Sequence, residues 1–177
     1  MKMGVEWGRA ADPDDLREHL RANPGYKAVF FTANETSTGV LNPVRELADV
    51  IHAESDTVAV VDAISVLGAA DVRVDEWGLD VVLTGSQKAW MLPPGLAMAC
   101  VSPKAWAVVE KNTSPRFYFD FLEYRKSQAK GQSPYTPAVS LFFALMEALR
   151  LMEAEGLQNV FARHQRVAAH TRAGVEA

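Results

Sequence analysis

The sequence predicts an α/β protein built on a mostly parallel sheet with helices on both faces. Two observations carry this prediction: short, almost entirely apolar runs alternate along the chain with helical patterns, and polar residues follow each run. The 177 residues have a net charge of -4, and 49% of them are hydrophobic, as is usual for one globular domain. Ligands of such sheets bind beyond the carboxyl ends of the strands, so the residues that follow the strands are the functional candidates.

Composition narrows the class of protein further. The acidic balance and the scattered basic residues argue against an electrostatic nucleic-acid binder. The single cysteine, Cys100, excludes an internal disulfide, and the histidines lack metal-ligand spacing, so we expect no metal site. No apolar run is long enough to span a bilayer, and residues 1–7 lack the apolar core of a signal peptide. We therefore expect a cytoplasmic protein that acts on neither nucleic acids nor membranes.

The first helix is predicted to begin after Asp12. Asp12 is a typical N-cap residue, Pro13 suits the first helical position, and Asp15 stands where the acid of a capping box would lie. The Asn-Pro-Gly sequence at 23–25 ends this helix. The apolar run at 28–31 then predicts a strand that is buried on both faces.

The same alternation continues to about residue 101. A polar loop precedes a second helix, which Pro43 opens. Buried strands are predicted at 57–61 and at 80–84, and a fourth strand is predicted at 96–101. Together with the first strand, these runs predict a sheet of parallel strands.

The pattern changes after residue 115. A short helix is predicted at 120–130, followed by a loop with two prolines at 131–137, a long apolar helix and an amphipathic helix. We therefore expect two parts, residues 1–115 and residues 116–177. Residues 4–7 read as the end of a strand without a partner, and the chain ends on a helix, so we expect the middle of a larger protein.

Asp62 and Lys88 carry the chemistry, because each follows a predicted buried strand. An ionised carboxylate can hold a positive charge on the ring nitrogen of a ligand. A lysine on a neighbouring strand end can form a Schiff base with an aldehyde when burial or a nearby cation lowers its pKa. This pair suits pyridoxal phosphate. The residues by themselves leave a second interpretation open, a solvated surface lysine and an aspartate that caps a helix.

Five motifs resemble those of the class V aminotransferases and follow in the same order. They are segments 34–40 (NETSTGV), 61–68 (VDAISVLG), 84–89 (TGSQKA), 92–95 (LPPG) and 133–137 (SPYTP). The class V enzymes are fold-type I pyridoxal-phosphate enzymes, and this sequence is most similar to the alanine–glyoxylate and serine–pyruvate aminotransferases. The glycine-rich phosphate turn and the carboxylate-binding arginine of that family find no match here. The resemblance therefore implies a fragment, with a partial cofactor-binding large domain at 1–115 and an interface loop and helices at 116–177.

The resemblance implies a function and a set of site residues. The implied reaction moves an amino group from a small amino acid, such as alanine or serine, to a 2-oxo acid, such as glyoxylate or pyruvate. Lys88 is implied to form the internal aldimine with pyridoxal 5'-phosphate and to move the proton, while Asp62 keeps the pyridine nitrogen protonated. Ile64 is implied to pack on one face of the cofactor ring, Ser37 to lie near its phenolic oxygen, and Gln87 to bind its phosphate. Ser133 and Thr136 are implied to reach the cofactor phosphate of the neighbouring subunit in a homodimer.

Two alternatives remain open. The chain could be an inactive fragment that keeps only the fold and the dimer surface. It could also be a receiver-like phosphoacceptor domain with Asp62 at one strand end, Thr84 at the next and Lys104 after the fourth strand. The segment 32–34 lacks the acidic pair with which a receiver binds Mg²⁺, which argues against the second alternative.

Overall fold

A computed structural model describes residues 1–176, and it contains a four-stranded sheet with the strand order β1-β4-β5-β6. The strands of this sheet are β1 (Ala28–Thr32), β4 (Val58–Asp62), β5 (Val81–Gly85) and β6 (Ala97–Val101). A small hairpin is formed by β2 (Asn34–Glu35) and β3 (Val40–Leu41), where the sequence predicted a loop. The helices are α1 (Pro13–Ala22), α2 (Val44–Glu54), α3 (Pro103–Lys111), α4 (Phe121–Gln128), α5 (Val139–Glu155) and α6 (Leu157–Glu176).

The sheet is mostly parallel, which confirms the predicted fold class. Strands β1, β4 and β5 run parallel to one another, but β6 runs antiparallel to β5, with Gly85 opposite Ala97. A parallel neighbour needs a crossover of a dozen or more residues, usually a helix. The connection at 86–96 is shorter and contains no helix, so β6 can only fold back beside β5.

Helices cover both faces of the sheet, but unevenly. On one face, α1 and α2 pack with Leu47 and Ile51 against Ala59 of β4. On the other face, Ala105 of α3 packs with Val58 near the beginning of the strands. The sequence analysis did not predict α3, although Ser102 and Pro103 form a typical helix start, and the Ser102 side chain accepts a hydrogen bond from the backbone N–H of Ala105.

The prediction that the first strand is buried on both faces is wrong. The Phe30 side chain is 74% exposed, because β1 pairs only with β4 and α3 does not extend over this end of the sheet. The predicted strand end at 4–7 is also absent, since residues 1–6 form no regular structure. The predicted helix start at Asp12 is confirmed, with the Asp12 side chain accepting a hydrogen bond from the Asp14 backbone N–H.

Asp80 joins three strands at the edge of the sheet where β4 and β5 begin. Its side chain is almost fully buried and accepts hydrogen bonds from the Ala59 backbone N–H at 2.9 Å and from Ser102 Oγ at 2.8 Å. Lys104 Nζ lies 3.6 Å away, and His52 Nε2 lies 3.5 Å away. Because β5 begins only at Val81, the Asp80 side chain supplies the acceptor that the buried Ala59 N–H would otherwise lack.

Candidate active site

Asp62 and the turn that carries Lys88 lie at the carboxyl edge of the parallel strands. Asp62 is the last residue of β4, with Thr32 opposite it on β1 and Leu83 opposite it on β5. Lys88 follows the end of β5 after a short turn. Neighbouring parallel strands bring their carboxyl ends to the same edge, so the topology places the two residues on adjacent strand ends, as the sequence predicted.

The Asp62 carboxylate is exposed, and one of its two oxygens accepts a hydrogen bond from the protein. Its Oδ1 accepts a hydrogen bond from the Ile64 backbone N–H at 2.9 Å, which fixes the side chain against its own loop. Within residues 1–176, Oδ2 has no hydrogen-bond donor. An anion held in this way by one oxygen keeps the other free for a cationic N–H group of a ligand.

The loops after β1 and β4 are bonded to each other. Asn34 Nδ2 donates to Ser65 Oγ at 2.9 Å, and the Ala33 backbone N–H donates to the Asp62 carbonyl at 2.7 Å. Sequence reasoning assigned no role to Asn34 or Ser65. The pair holds the segment that contains Asp62 and Ile64 against the neighbouring loop, so both residues have a defined place at the sheet edge.

Lys88 lies in a turn that two hydrogen bonds stabilise. The Met91 backbone N–H donates to the Lys88 carbonyl at 3.0 Å, and Trp90 Nε1 donates to Thr84 Oγ1 at 3.1 Å. The Lys88 side chain itself is exposed. The described residues therefore do not supply the burial that the sequence analysis named as one way to make this lysine reactive.

Gly85 has no side chain, and it lies between the side chains of two residues that are predicted to contact the cofactor. A Cβ atom at Gly85 would lie 3.1 Å from Gln87 Oε1 and 3.7 Å from Ile64 Cγ2. The side chains of Gln87 and Ile64 therefore converge on one point above the end of β5. Ile64 is half-buried and apolar there, while Gln87 is exposed and offers an amide group.

Ser37 is exposed, and its hydroxyl group is engaged within its own loop. Its Oγ and its backbone N–H both donate to Glu35 Oε1, at 2.7 Å and 2.9 Å. These hydrogen bonds, the side-chain one foremost, lower the pKa of the Glu35 carboxyl below its usual value. To reach a cofactor, the Ser37 hydroxyl would have to turn away from Glu35.

Ser133 and Thr136 lie in a different segment, between α4 and α5. Both are exposed, and Ser133 Oγ donates to the Tyr135 carbonyl at 2.5 Å. The Tyr135 ring stacks on Tyr118, with the ring centroids 4.4 Å apart. Within residues 1–176, no hydrogen bond joins Ser133 to Asp62 or Lys88.

The receiver-like alternative is contradicted by the position of Lys104. Its Nζ donates to the Thr57 carbonyl at 2.7 Å, just before β4 begins. Asp62 ends the same strand, so the two residues lie at opposite edges of the sheet. A receiver site would need Asp62 and Lys104 side by side.

The fold is that of the fold-type I pyridoxal-phosphate enzymes. Comparison with family models identifies the family within this class. The model of the class V aminotransferases matches residues 2–177, so the chain belongs to that family. It is 48% identical to the small subunit of a soluble hydrogenase from Synechococcus sp. (strain PCC 6716), over 99% of this chain and 46% of that protein. It is 42% identical to the serine–glyoxylate aminotransferase of Arabidopsis thaliana, over 97% of this chain and 44% of that protein. The crystal structure of pyridoxamine-pyruvate aminotransferase from Mesorhizobium loti matches with a TM-score of 0.91 and 32% identity, over 98% of this chain and 45% of that one.

These comparisons confirm the resemblance to class V aminotransferases, a family whose members depend on pyridoxal phosphate. The chain spans about half the length of the curated relatives that it matches, 46% in the Synechococcus protein. Within residues 1–176, every helix is too short or too polar to cross a membrane.

Proposed function

We propose that the protein acts in an aminotransferase that uses pyridoxal phosphate, with Lys88 as the residue bonded to the cofactor. The donor would be a small amino acid such as alanine or serine, and the acceptor a 2-oxo acid such as glyoxylate or pyruvate. One observation carries the proposal: in a class V aminotransferase chain, a carboxylate and a lysine stand on adjacent parallel strand ends. The Arabidopsis relative, a serine–glyoxylate aminotransferase by name, supports the substrate class.

Bound pyridoxal phosphate supplies an electron sink, which stabilises negative charge at the substrate Cα atom. In the proposed site, Asp62 Oδ2 would hold the positive charge of the ring nitrogen, while the Ile64 N–H keeps Oδ1 in place. Lys88 would hold the cofactor through its amine and, once released from it, would take and return the proton at the substrate Cα atom. Its exposure in this chain means that the cofactor, or protein surface beyond these residues, has to exclude water from it.

The residues around Gly85 fit the remaining parts of the cofactor. The half-buried Ile64 presents an apolar surface of the kind that packs on a ring face, and the exposed Gln87 presents an amide suited to a phosphate oxygen. The gap at Gly85 leaves room at the point where the two side chains converge. Ser37 would serve the phenolic oxygen after leaving Glu35.

We further propose a homodimer in which Ser133 and Thr136 serve the phosphate of the neighbouring subunit. Both hydroxyl residues are exposed, as this role requires. The same part of the chain exposes large apolar side chains, with Phe117 at 86%, Phe143 at 67% and Met146 at 66%. An apolar surface of this kind is typical of a protein–protein interface.

A second candidate is an inactive chain that keeps the fold and the dimer surface alone. The exposure of Asp62 and Lys88 favours this candidate, because a working site keeps water away from its lysine. The cytoplasmic location expected from the sequence stays a prediction under both candidates.

Reductive trapping decides between the two candidates. The purified chain is mixed with pyridoxal phosphate and reduced with borohydride, and the pyridoxyl-lysine is located by peptide mass spectrometry. The matched controls are Lys88→Ala and Lys111→Ala, the second of which removes another exposed lysine. The proposal expects one stoichiometric adduct at Lys88 that the Lys111→Ala variant retains. Scattered labelling of surface lysines in the wild-type chain would support the inactive chain instead.

A further inference from the structure

The connection from β5 to β6 carries both Gln87 and Lys88, and it contains backbone conformations that a free loop would not keep. Met91 has a φ of 64°, in the left-handed region that side chains other than glycine seldom adopt. Gly95 has a φ of 143°, and a Cβ atom there would lie 2.6 Å from Leu141 Cδ1. The Met91 conformation persists only where the surrounding structure over-determines it, and Leu141 leaves no room for a side chain at Gly95.

Ser86 is the residue that closes this connection. Its backbone N–H donates to the Leu96 carbonyl at 3.1 Å, and its carbonyl accepts from the Leu92 N–H at 3.2 Å. Its Oγ donates to the Pro93 carbonyl at 2.8 Å and accepts from the Leu96 N–H at 3.2 Å. Ser86 is 0% exposed, so water cannot replace any of these hydrogen bonds.

The hydrogen bonds of Ser86 define the short loop that presents Lys88. The bond from Leu92 to Ser86 fastens the residues between them, and the Met91–Lys88 bond closes the turn inside that loop. Ala89, the residue after Lys88, packs beside Gly68, where a Cβ atom would lie 3.4 Å from the Ala89 Cβ. The lysine backbone is therefore held although its side chain is exposed.

We infer that Ser86 is a positioning residue, whose hydroxyl fixes the chain at Pro93 and Leu96 and thereby keeps the turn at 87–92 in place, so that Lys88 would meet the cofactor aldehyde and Gln87 the phosphate. This inference rests on the proposed function. A nucleophile whose backbone is fixed by surrounding hydrogen bonds reacts faster than one in a mobile loop. A misplacement of about 1 Å can lower the rate about 100-fold. The sequence shows Ser86 as part of the TGSQKA motif but gives no sign that its side chain points inward.

The test compares Ser86→Ala with Ser102→Ala. Both serines donate one side-chain hydrogen bond and accept one, but Ser102 does so at the opposite edge of the sheet, with Asp80 and Ala105 as its partners. Two quantities are measured on the full chain: the rate constant of pyridoxyl adduct formation at Lys88, and hydrogen exchange of the Leu92 and Leu96 amides. In Ser86→Ala we expect the rate constant to fall about 10-fold and exchange to rise about 10-fold, as the loss of about 1.4 kcal/mol would produce.

Ser102→Ala is expected to leave both quantities within about twofold of wild type while it lowers global stability. A near-isosteric Ser86→Cys variant, with its weaker S–H donor, is expected to fall between wild type and Ser86→Ala. Exchange of the amide of the fully buried Val61, in the middle of the central strand β4, reports whether each variant has folded.

Three outcomes would overturn the inference. Wild-type adduct rates in a folded Ser86→Ala variant would overturn it and leave the proposed function standing. An equal loss of rate in both alanine variants would show that Ser86 acts only through global stability. Absence of a Lys88 adduct in the wild-type chain would overturn the proposed function itself, and the inference with it.

Discussion

Replacement of Asp80 by alanine removes the side chain that joins the beginnings of β4 and β5 to the end of β6. The carboxylate accepts hydrogen bonds from the Ala59 N–H at 2.9 Å and from Ser102 Oγ at 2.8 Å. Ala59 is 0% exposed, so in Asp80→Ala its N–H group would lie in the interior without an acceptor. Lys104 would lose the carboxylate 3.6 Å from its Nζ but keep the Thr57 carbonyl at 2.7 Å.

The expected loss follows from these contacts. A buried donor without an acceptor costs about 1–3 kcal/mol, and the Ala59 N–H becomes such a donor in Asp80→Ala. The Ser102 hydroxyl loses its acceptor as well. The Lys104 side chain is 34% exposed, and water therefore compensates for much of the lost ion pair. We expect Asp80→Ala to lower the free energy of unfolding by about 2–4 kcal/mol, mostly from the unpaired Ala59 N–H and the lost Ser102 hydrogen bond.

Asp80→Asn separates the hydrogen bonds from the charge. Its amide oxygen can accept from the Ala59 N–H, and its amide nitrogen can donate to Ser102 Oγ, but the Ser102 O–H then loses its acceptor, and the attraction to Lys104 is lost as well. We expect a decrease of about 1–2 kcal/mol, smaller than that of Asp80→Ala because the buried Ala59 N–H keeps an acceptor. Urea unfolding followed by circular dichroism measures both variants, and Asp71→Ala, which breaks an exposed pair with Arg73, is the control. The reasoning is refuted if Asp80→Ala unfolds within about 1 kcal/mol of wild type, or if Asp80→Asn is as unstable as Asp80→Ala.

Four further predictions concern the site, the surface charges and the interface. Asp62→Ala is expected to retain weak cofactor binding but to lose about 100-fold in amino transfer, because the ring nitrogen loses its anion; near-normal turnover would contradict this role. Gly85→Ala is expected to weaken cofactor binding severalfold in a spectroscopic titration, since its Cβ would lie 3.1 Å from a Gln87 side chain that would have to move. Two hydrogen bonds from Arg21, together with its charge, lower the pKa of Glu54 below 4.5. The interaction of Arg21 with Glu54 therefore stabilises the fold above about pH 4.5, and this contribution is lost as the pH falls through the folded-state pKa. Arg21→Ala is expected to reduce the acid dependence of urea unfolding. Light scattering is expected to detect a dimer that Phe143→Asp converts to a monomer, and a monomeric wild-type chain at working concentration would refute the interface.

Local sequence patterns were sufficient for the helices and strands that they describe. Asp12 and Pro13 predicted the beginning of α1 because a helix start depends on the few residues around it. The apolar runs predicted β4 and β5 because these strands are central and have neighbours on both sides. The position of Asp62 and Lys88 at adjacent strand ends was also predictable, since a parallel sheet places successive strand ends at one edge.

The sequence by itself therefore determined the family, the mostly parallel sheet and the edge at which the chemistry is expected. Tertiary structure alone decided the direction of β6, the exposure of Phe30, the place of Lys104 at the opposite edge from Asp62, and the buried hydrogen bonds of Ser86. The physical reason is the range of the interactions involved. Caps and apolar periodicity act between residues a few positions apart, whereas strand direction, burial and the partners of a buried hydroxyl depend on residues that only folding brings together.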